Sequence, residues 1–206
     1  MPIITEELKS QTKRNILVVI SGPTCSGKDS VMKQLLVRNK NMRRLITTNS
    51  RAKRKDETNG VDYYFVSKKD FEELIAQDAF FEWVEYRGDY RGGQKKHVQD
   101  ALKSGKDVVW RIDVRGVKNI YKKVKRDIPH SVFIFLTEDL LILKKRMTNR
   151  ATEDKKWQNW SLNRATWELK QYQGFDYLVK NKQGQLDKAV AIIEMIIETE
   201  KRKIFK

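Results

Sequence analysis

Short apolar, β-branched runs alternate along the chain with longer stretches in which apolar side chains recur every three or four positions. Ile16 to Ser21, Asp107 to Asp113 and Ser131 to Leu136 are the runs. Helical patterns follow them at Asp29 to Arg38, Val117 to Lys125 and Glu138 to Thr148. A continuous apolar run predicts a strand buried on both faces, and its alternation with helices predicts a parallel sheet with crossover helices, an α/β fold. Tyr177 to Lys180 reads as a last strand and Leu186 to about Lys203 as a closing helix.

Two segments break this rhythm. Thr47 to about Gln94 reads as short strands with a helix near Lys68 to Ala76, rich in charges and aromatics. Arg150 to Trp160 is strongly polar and is followed by a helical stretch to about Gln171. With no internal repeat, low-complexity tract or Pro/Gly/Ser linker, both are excursions from one core, and residues 1–206 form one domain.

Composition adds a surface to this core. The 206 residues suit one compact domain, and 34% charged residues with a mean hydropathy of −0.68 imply a highly charged exterior. The net charge of +16, from 43 Lys and Arg against 27 Asp and Glu, attracts anions: nucleic acid, acidic lipid or phosphorylated small molecules. No zinc-finger spacing or aromatic RNP-type signature interrupts the basic residues, so nucleic acid is not the expected partner. The one cysteine, Cys25, excludes an intramolecular disulfide and fits a reducing compartment. No signal-peptide-type stretch or run of transmembrane length occurs, so the expected location is the cytoplasm, or an organellar matrix after removal of a transit peptide, with no membrane partner.

The sharpest local signal is Gly22-Pro23-Thr24-Cys25-Ser26-Gly27-Lys28-Asp29, set between the strand at Ile16 to Ile20 and a helix. In such a phosphate loop, backbone N–H groups at the helix N-terminus cradle phosphates while the lysine reaches the β and γ groups of ATP. The loop residues, Lys28 and Ser30 are therefore candidate ATP contacts. Where Ser or Thr ordinarily ligates Mg²⁺, this chain has Asp29. A carboxylate is a hard-oxygen ligand able to do that job, with Ser30 as the other candidate, or Asp29 is a helix N-terminal residue favoured by the macrodipole. Cys25 could have a lowered thiol pKa there, or simply fill a permissive loop position.

A second constellation concerns the phosphate acceptor. From Ser50 to Val66 the chain reads Ser-Arg-Ala-Lys-Arg-Lys-Asp-Glu-Thr-Asn-Gly-Val-Asp-Tyr-Tyr-Phe-Val, with Arg51 and Arg54 preceding Glu57, Gly60 and Tyr63. Arginine forks suit bidentate phosphate recognition, and a tyrosine adds a hydroxyl donor. This segment resembles the guanylate kinase motif Thr/Ser-Arg-x-x-Arg-x-x-Glu-x-x-Gly-x-x-Tyr-x-Phe. Further matches are Glu82-Trp83, Gly88 to Tyr90, Ile112 to Gly116, Lys144 to Arg146, Arg150 to Glu153 and Asn181 before Leu186 to Ala189, so the resemblance runs from about Ile16 to Ala191.

The resemblance implies a phosphate-loop nucleoside monophosphate kinase fold, a three-layer α/β/α arrangement. Its core would be 14–46, 95–149 and 172–206, with a small α+β GMP-binding insertion at 47–94 and a helical lid at 150–171. It implies transfer of the γ-phosphoryl group of ATP to GMP, possibly also dGMP, with Mg²⁺, by a monomer or homodimer. Arg51, Arg54 and Tyr63 would hold the GMP phosphate, with Glu57 orienting the arginines and Arg91 gripping the same phosphate. Glu82 and Asp113 would accept from guanine N1–H and the exocyclic amine, and Thr47 would contact the base. Asn181 would join the ATP site. Lys28, Arg51, Arg146 and Arg150 would be the catalytic cations, stabilising the transferring group.

Four positions depart from the family, Asp29 among them. Arg91 stands where many members have tyrosine, and Arg111 where many have aspartate, so a carboxylate lost at 111 is regained at Asp29. A lid arginine expected near Ser161 is absent, with Arg164, Lys155 and Lys156 as substitutes. Two other readings remain: a ribose 1,5-bisphosphate phosphokinase, whose loop resembles Gly-Lys-Asp-Ser, and a non-catalytic guanylate-kinase-like binding module, which typically lacks the lysine present here as Lys28.

Overall fold

A computed structural model describes residues 15–86, 88–148 and 155–203. Five strands form the parallel sheet: β1 (Leu17–Ser21), β2 (Met42–Arg44), β7 (Asp107–Arg111), β8 (Ser131–Thr137) and β9 (Tyr177–Lys180), in the order β2-β7-β1-β8-β9. Every pairing in it is parallel. The segment between β2 and β7 builds a four-stranded sheet from β3 (Thr48–Asn49), β4 (Tyr64–Phe65), β5 (Phe80–Tyr86) and β6 (Asp89–Gln94), in the order β4-β3-β6-β5. The described helices are α1 (Lys28–Arg38), α2 (Lys68–Ala76), α3 (Lys95–Lys103), α4 (Val114–Asp127), α5 (Leu140–Thr148), α6 (Lys155–Leu169) and α7 (Leu186–Lys201). None of them is long and apolar enough to cross a membrane.

Burial on both faces of the sheet explains the continuous apolar runs. Along β1 the side chains alternate: Ile16, Val18 and Ile20 join Val31 and Leu35 of α1 and Ile193 and Ile197 of α7. Leu17 and Val19 face the other way, into Val98 of α3 and Val117, Ile120 and Val124 of α4. Each fully buried aliphatic side chain contributes on the order of 1.5–3 kcal/mol, so both helix layers are pinned through one central strand. A smaller cluster of Leu143, Met147 and Ala165 packs α6 onto α5.

The pattern located these elements with small shifts. Helix α4 begins at Val114, not Val117, because Asp113 caps it by accepting from Arg115 N–H at 3.0 Å. Strand β7 correspondingly ends at Arg111. Helix α5 starts at Leu140, not at Glu138. Edge strand β2 is too short to show a period and was not expected, and helix α3 was overlooked although Val98, Ala101 and Leu102 recur at helical spacing.

The two sheets meet where β6 crosses the indole of Trp110. A Cβ on Gly93 would fall 2.1 Å from Trp110 Cζ2, an atom of a fully buried ring. Gly93→Ala should therefore destabilise the protein by about 1–3 kcal/mol, seen as a lower urea midpoint at unchanged slope. An unchanged midpoint would show that the sheets tolerate separation.

Candidate active site

Strand β1, with neighbours on both sides, ends in the phosphate loop, and the carboxyl ends of β7 and β8 flank it. Ligands of open parallel sheets lie in this crevice. Gly22 has φ +144° and lies so close to β8 that a Cβ would sit 1.9 Å from Leu136 O. Gly27 caps α1 in the left-handed region, with φ +92°. Asn181, at the end of β9, donates through Nδ2 to Ser26 O at 2.8 Å and locks the loop against the sheet. The buried Ser26 hydroxyl has no hydrogen-bond partner among the described residues.

Lys28 Nζ lies within the loop, donating to Gly22 O and Pro23 O at 2.8 Å each. Burial lowers its pKa to about 8, with Glu168 the strongest opposing influence. Beside it, Asp29 meets Arg111 Nε at 3.2 Å. The two family departures that the sequence links as an exchange of charge are in the structure a direct ion pair.

On the outer side of the loop, Cys25, Gly27, Ser30, Arg146, Asn181 and Gln183 line a cavity of about 290 Å³. Arg146 runs along its wall, bonded to Cys25 O at 3.3 Å, Asn181 O at 2.9 Å and Gln183 Oε1 at 3.1 Å. Arg150, its expected catalytic companion, lies outside the described residues.

The second sheet carries the acceptor candidates. Glu57 takes a bidentate ion pair from Arg51, one arm at 2.7 Å, and also accepts from Arg54 N–H at 2.9 Å. The Arg51 hydrogen bonds hold its pKa down to about 2. Arg51 also lies 5.5 Å from the Tyr63 ring centre, with Arg44 at 5.7 Å. The Arg51 Nε and Asn49 Nδ2 donors are buried without hydrogen-bond partners among the described residues. Arg54 is exposed, while Thr47 and Arg91 are half-buried. Thr47 immediately precedes β3, and Arg91 lies opposite Asn49 in the same sheet.

Glu82 and Asp113 converge on the first turn of α4. A Cβ on Gly116 would come within 2.9 Å of Glu82 Oε2, so the glycine makes room for that carboxylate. Burial, reinforced by Asp113, pushes the Glu82 pKa up to about 8. For Asp113, burial pushes upward, but Arg164 and Arg115 outweigh it and hold its carboxyl below the usual range.

Sequence reasoning missed two participants. Glu168, on α6, accepts from Thr24 N–H of the phosphate loop at 2.8 Å and from Arg164 Nε at 2.8 Å. Its four-residue spacing from Arg164 was the available signal. Arg44, at the end of edge strand β2, had no motif to announce it.

A phosphate loop on a parallel α/β core, facing a second sheet that carries paired arginines, defines a phosphate-loop phosphotransferase. Comparison with known proteins narrows the class. The chain belongs to the guanylate kinase family, whose sequence model, described as guanylate kinase, matches residues 14–200. It is 36% identical over 191 residues to a guanylate kinase of Carboxydothermus hydrogenoformans, covering 92% of this chain and 91% of the relative. It is 36% identical over 195 residues to one of Latilactobacillus sakei, covering 94% and 93%. The crystal structure of guanylate kinase from Anaplasma phagocytophilum superposes with a TM-score of 0.67 at 26% identity, covering 93% of this chain and 88% of that one.

The two shifted groups give the sites opposite pH behaviour. If Glu82 receives guanine donors, they favour its ionised form, and binding releases a proton below the free value of about 8. GMP affinity should then rise about fivefold from pH 7 to 8 and level off above. A triphosphate favours charged Lys28, so ATP affinity should hold below its free value of about 8 and fall as pH rises beyond it. Calorimetry in buffers of different ionisation enthalpy reads both signs, and a common direction would contradict the assignment.

Proposed function

We propose that this protein transfers the γ-phosphoryl group of ATP to GMP, giving ADP and GDP. The observation carrying the reading is the pair of carboxylates, Glu82 and Asp113, gathered at the first turn of α4. Guanine presents N1–H and an amino group as donors on one edge, where adenine has an acceptor at N1, and two carboxylates select the former. In this reading, Arg51, Arg54, Tyr63 and Arg91 take the acceptor phosphate, Glu57 fixes the Arg51 fork, and Thr47 touches the base.

The phosphate loop, with Asn181 behind it, takes the ATP phosphates, and the cavity walled by Arg146 takes the rest of the donor nucleotide. A GMP phosphate oxygen attacks the γ-phosphorus as the bond to the β,γ-bridging oxygen breaks, and ADP leaves with that electron pair. The attacking oxygen is already ionised, so no general base is needed. Lys28, Arg51, Arg146 and Arg150 offset charge on the transferring group, the main protein contribution to such reactions.

The donor set also fits a hard divalent cation. Asp29 offers an exposed carboxylate directly after Lys28, Ser30 a hydroxyl in the next position, and Mg²⁺ takes one or two protein oxygens, with phosphates and water completing its shell. Bound there, Mg²⁺ would supply charge neutralisation and alignment of the β and γ phosphates. The single cysteine and the family fit a cytoplasmic or organellar-matrix enzyme, acting as a monomer or homodimer, with dGMP as a further acceptor.

A coupled ADP-release assay with GMP, dGMP, AMP, UMP and ribose 1,5-bisphosphate tests the reading. Activity should be selective for the guanine nucleotides, and Lys28→Ala and Arg51→Ala should each lower kcat/KM at least about 100-fold. Inactivity with every acceptor would instead leave a binding module. Asp29→Ala should lower kcat and raise the Mg²⁺ concentration needed for half-maximal rate, and an unchanged Mg²⁺ dependence would remove Asp29 as a ligand.

A further inference from the structure

The phosphate loop holds an anion of the protein's own. The Glu168 carboxylate is buried, with the residue only 2% exposed, and takes the N–H of Thr24 at 2.8 Å. Backbone donors of this loop are the groups that otherwise meet phosphate oxygens. What hydrogen-bonds and compensates Glu168 is Arg164, four residues earlier on α6, through Nε at 2.8 Å, with the charge of Lys28 as a second, through-space partner. The other face of the same guanidinium pairs with Asp113 Oδ2, and the Arg164 side chain is 15% exposed. Asp113 is anchored to α4 by Arg115, through its N–H at 3.0 Å and its Nε at 3.3 Å. A continuous line of charge-assisted hydrogen bonds therefore joins the first turn of α4 to the phosphate loop, passing through one arginine of the lid helix.

We propose that Arg164 is a positioning residue that couples the two nucleotide sites, holding Glu168 in the phosphate loop as a stand-in for phosphate until an acceptor draws on Asp113. The proposal rests on the reading of Asp113 as part of the guanine site. When the guanine amine donates to Asp113, that carboxylate's charge is shared and its hold on Arg164 weakens. Arg164 then shifts, and Glu168 loses one of its two countercharges while the other, Lys28, is drawn to the incoming triphosphate, so the carboxylate's burial against the loop is no longer compensated. It withdraws, leaving Thr24 N–H to the triphosphate and the arginine beside the incoming charge. Coupling of this kind is reciprocal: GMP strengthens ATP binding by the same factor that ATP strengthens GMP binding. A planar fork with five donors can bridge two carboxylates on different elements, which a lysine ammonium does less well.

Calorimetric titration of the full-length protein with a non-hydrolysable β,γ-imido ATP analogue, with and without saturating GMP, measures the factor. In the unaltered protein GMP should tighten the analogue about fivefold or more. In Glu168→Gln the analogue should bind more tightly without GMP, and the ratio should fall to near one. In Arg164→Met the ratio should also fall to near one. Arg164→Lys, which keeps a charge and should keep the fold, should lose at least half of the coupling. A full ratio in any of these variants, with an unchanged melting temperature, overturns the proposal, as does a ratio of one in the unaltered protein that binds both ligands. GMP that fails to bind at all, while the analogue binds, defeats the acceptor reading beneath it.

Discussion

The site is organised by the ammonium of one half-buried lysine. Lys28 lies at the carboxyl end of a strand covered on both faces, and loss of water there favours its neutral form. It is kept within reach of protonation by carboxylates from separate elements: Glu168 of α6 first, then Asp29 beside it and Asp113 at the head of α4, against the repulsion of Arg111. An uncompensated charge in such a place is costly, so the elements bearing those groups have restricted freedom to move apart. The phosphate loop, α6 and α4 are held in register by that balance as much as by their apolar contacts.

The exchange of Asp29 and Arg111 belongs to the same balance. As a stabilising contact it is minor, since both partners are solvated and such pairs contribute about 0–1 kcal/mol. Its significance is local. Arg111 stands opposite Ile20 in the β1–β7 register, one position short of the loop. A positive charge brought so near Lys28 would lower the ammonium's pKa further, and Asp29 offsets it. Either substitution alone would shift the charge that the phosphates meet. Together they keep the number of carboxylates constant, so a carboxylate oxygen stays close to the phosphate loop while the local charge becomes one unit more positive.

How far the sequence disclosed all this follows from the range of each signal. The strands β1, β7 and β8 were legible because burial on both faces leaves an uninterrupted apolar run, and the phosphate loop because its glycines answer local backbone demands. Arg51, Glu57 and Tyr63 were legible because their partners lie within a dozen residues. Strand β2 was not, since three residues on an edge, with Arg43 exposed, leave no period to detect. Glu168 was missed for a different reason: its partner Thr24 is 144 residues away, and nothing in a helical stretch marks one carboxylate as reaching a distant loop. Arg164 was noted only as a substitute for an absent arginine, whereas its contacts show a bridge between two carboxylates.

That difference bears on what a relocated arginine does. Residues three apart on a helix share a face but project about one turn apart along it, roughly 4.5 Å of rise. An arginine at 164 meets Asp113 on one side and Glu168 on the other while its side chain remains mostly buried. An arginine held by two carboxylates is pre-organised, but it must surrender part of that compensation to serve a phosphate. The same contacts that fix its position therefore oppose its use, and the opposition is relieved only when other donors take over a carboxylate. In the proposed reading guanine is a double donor at the place where Asp113 lies, and the chemistry that selects the acceptor is then also suited to release the cation.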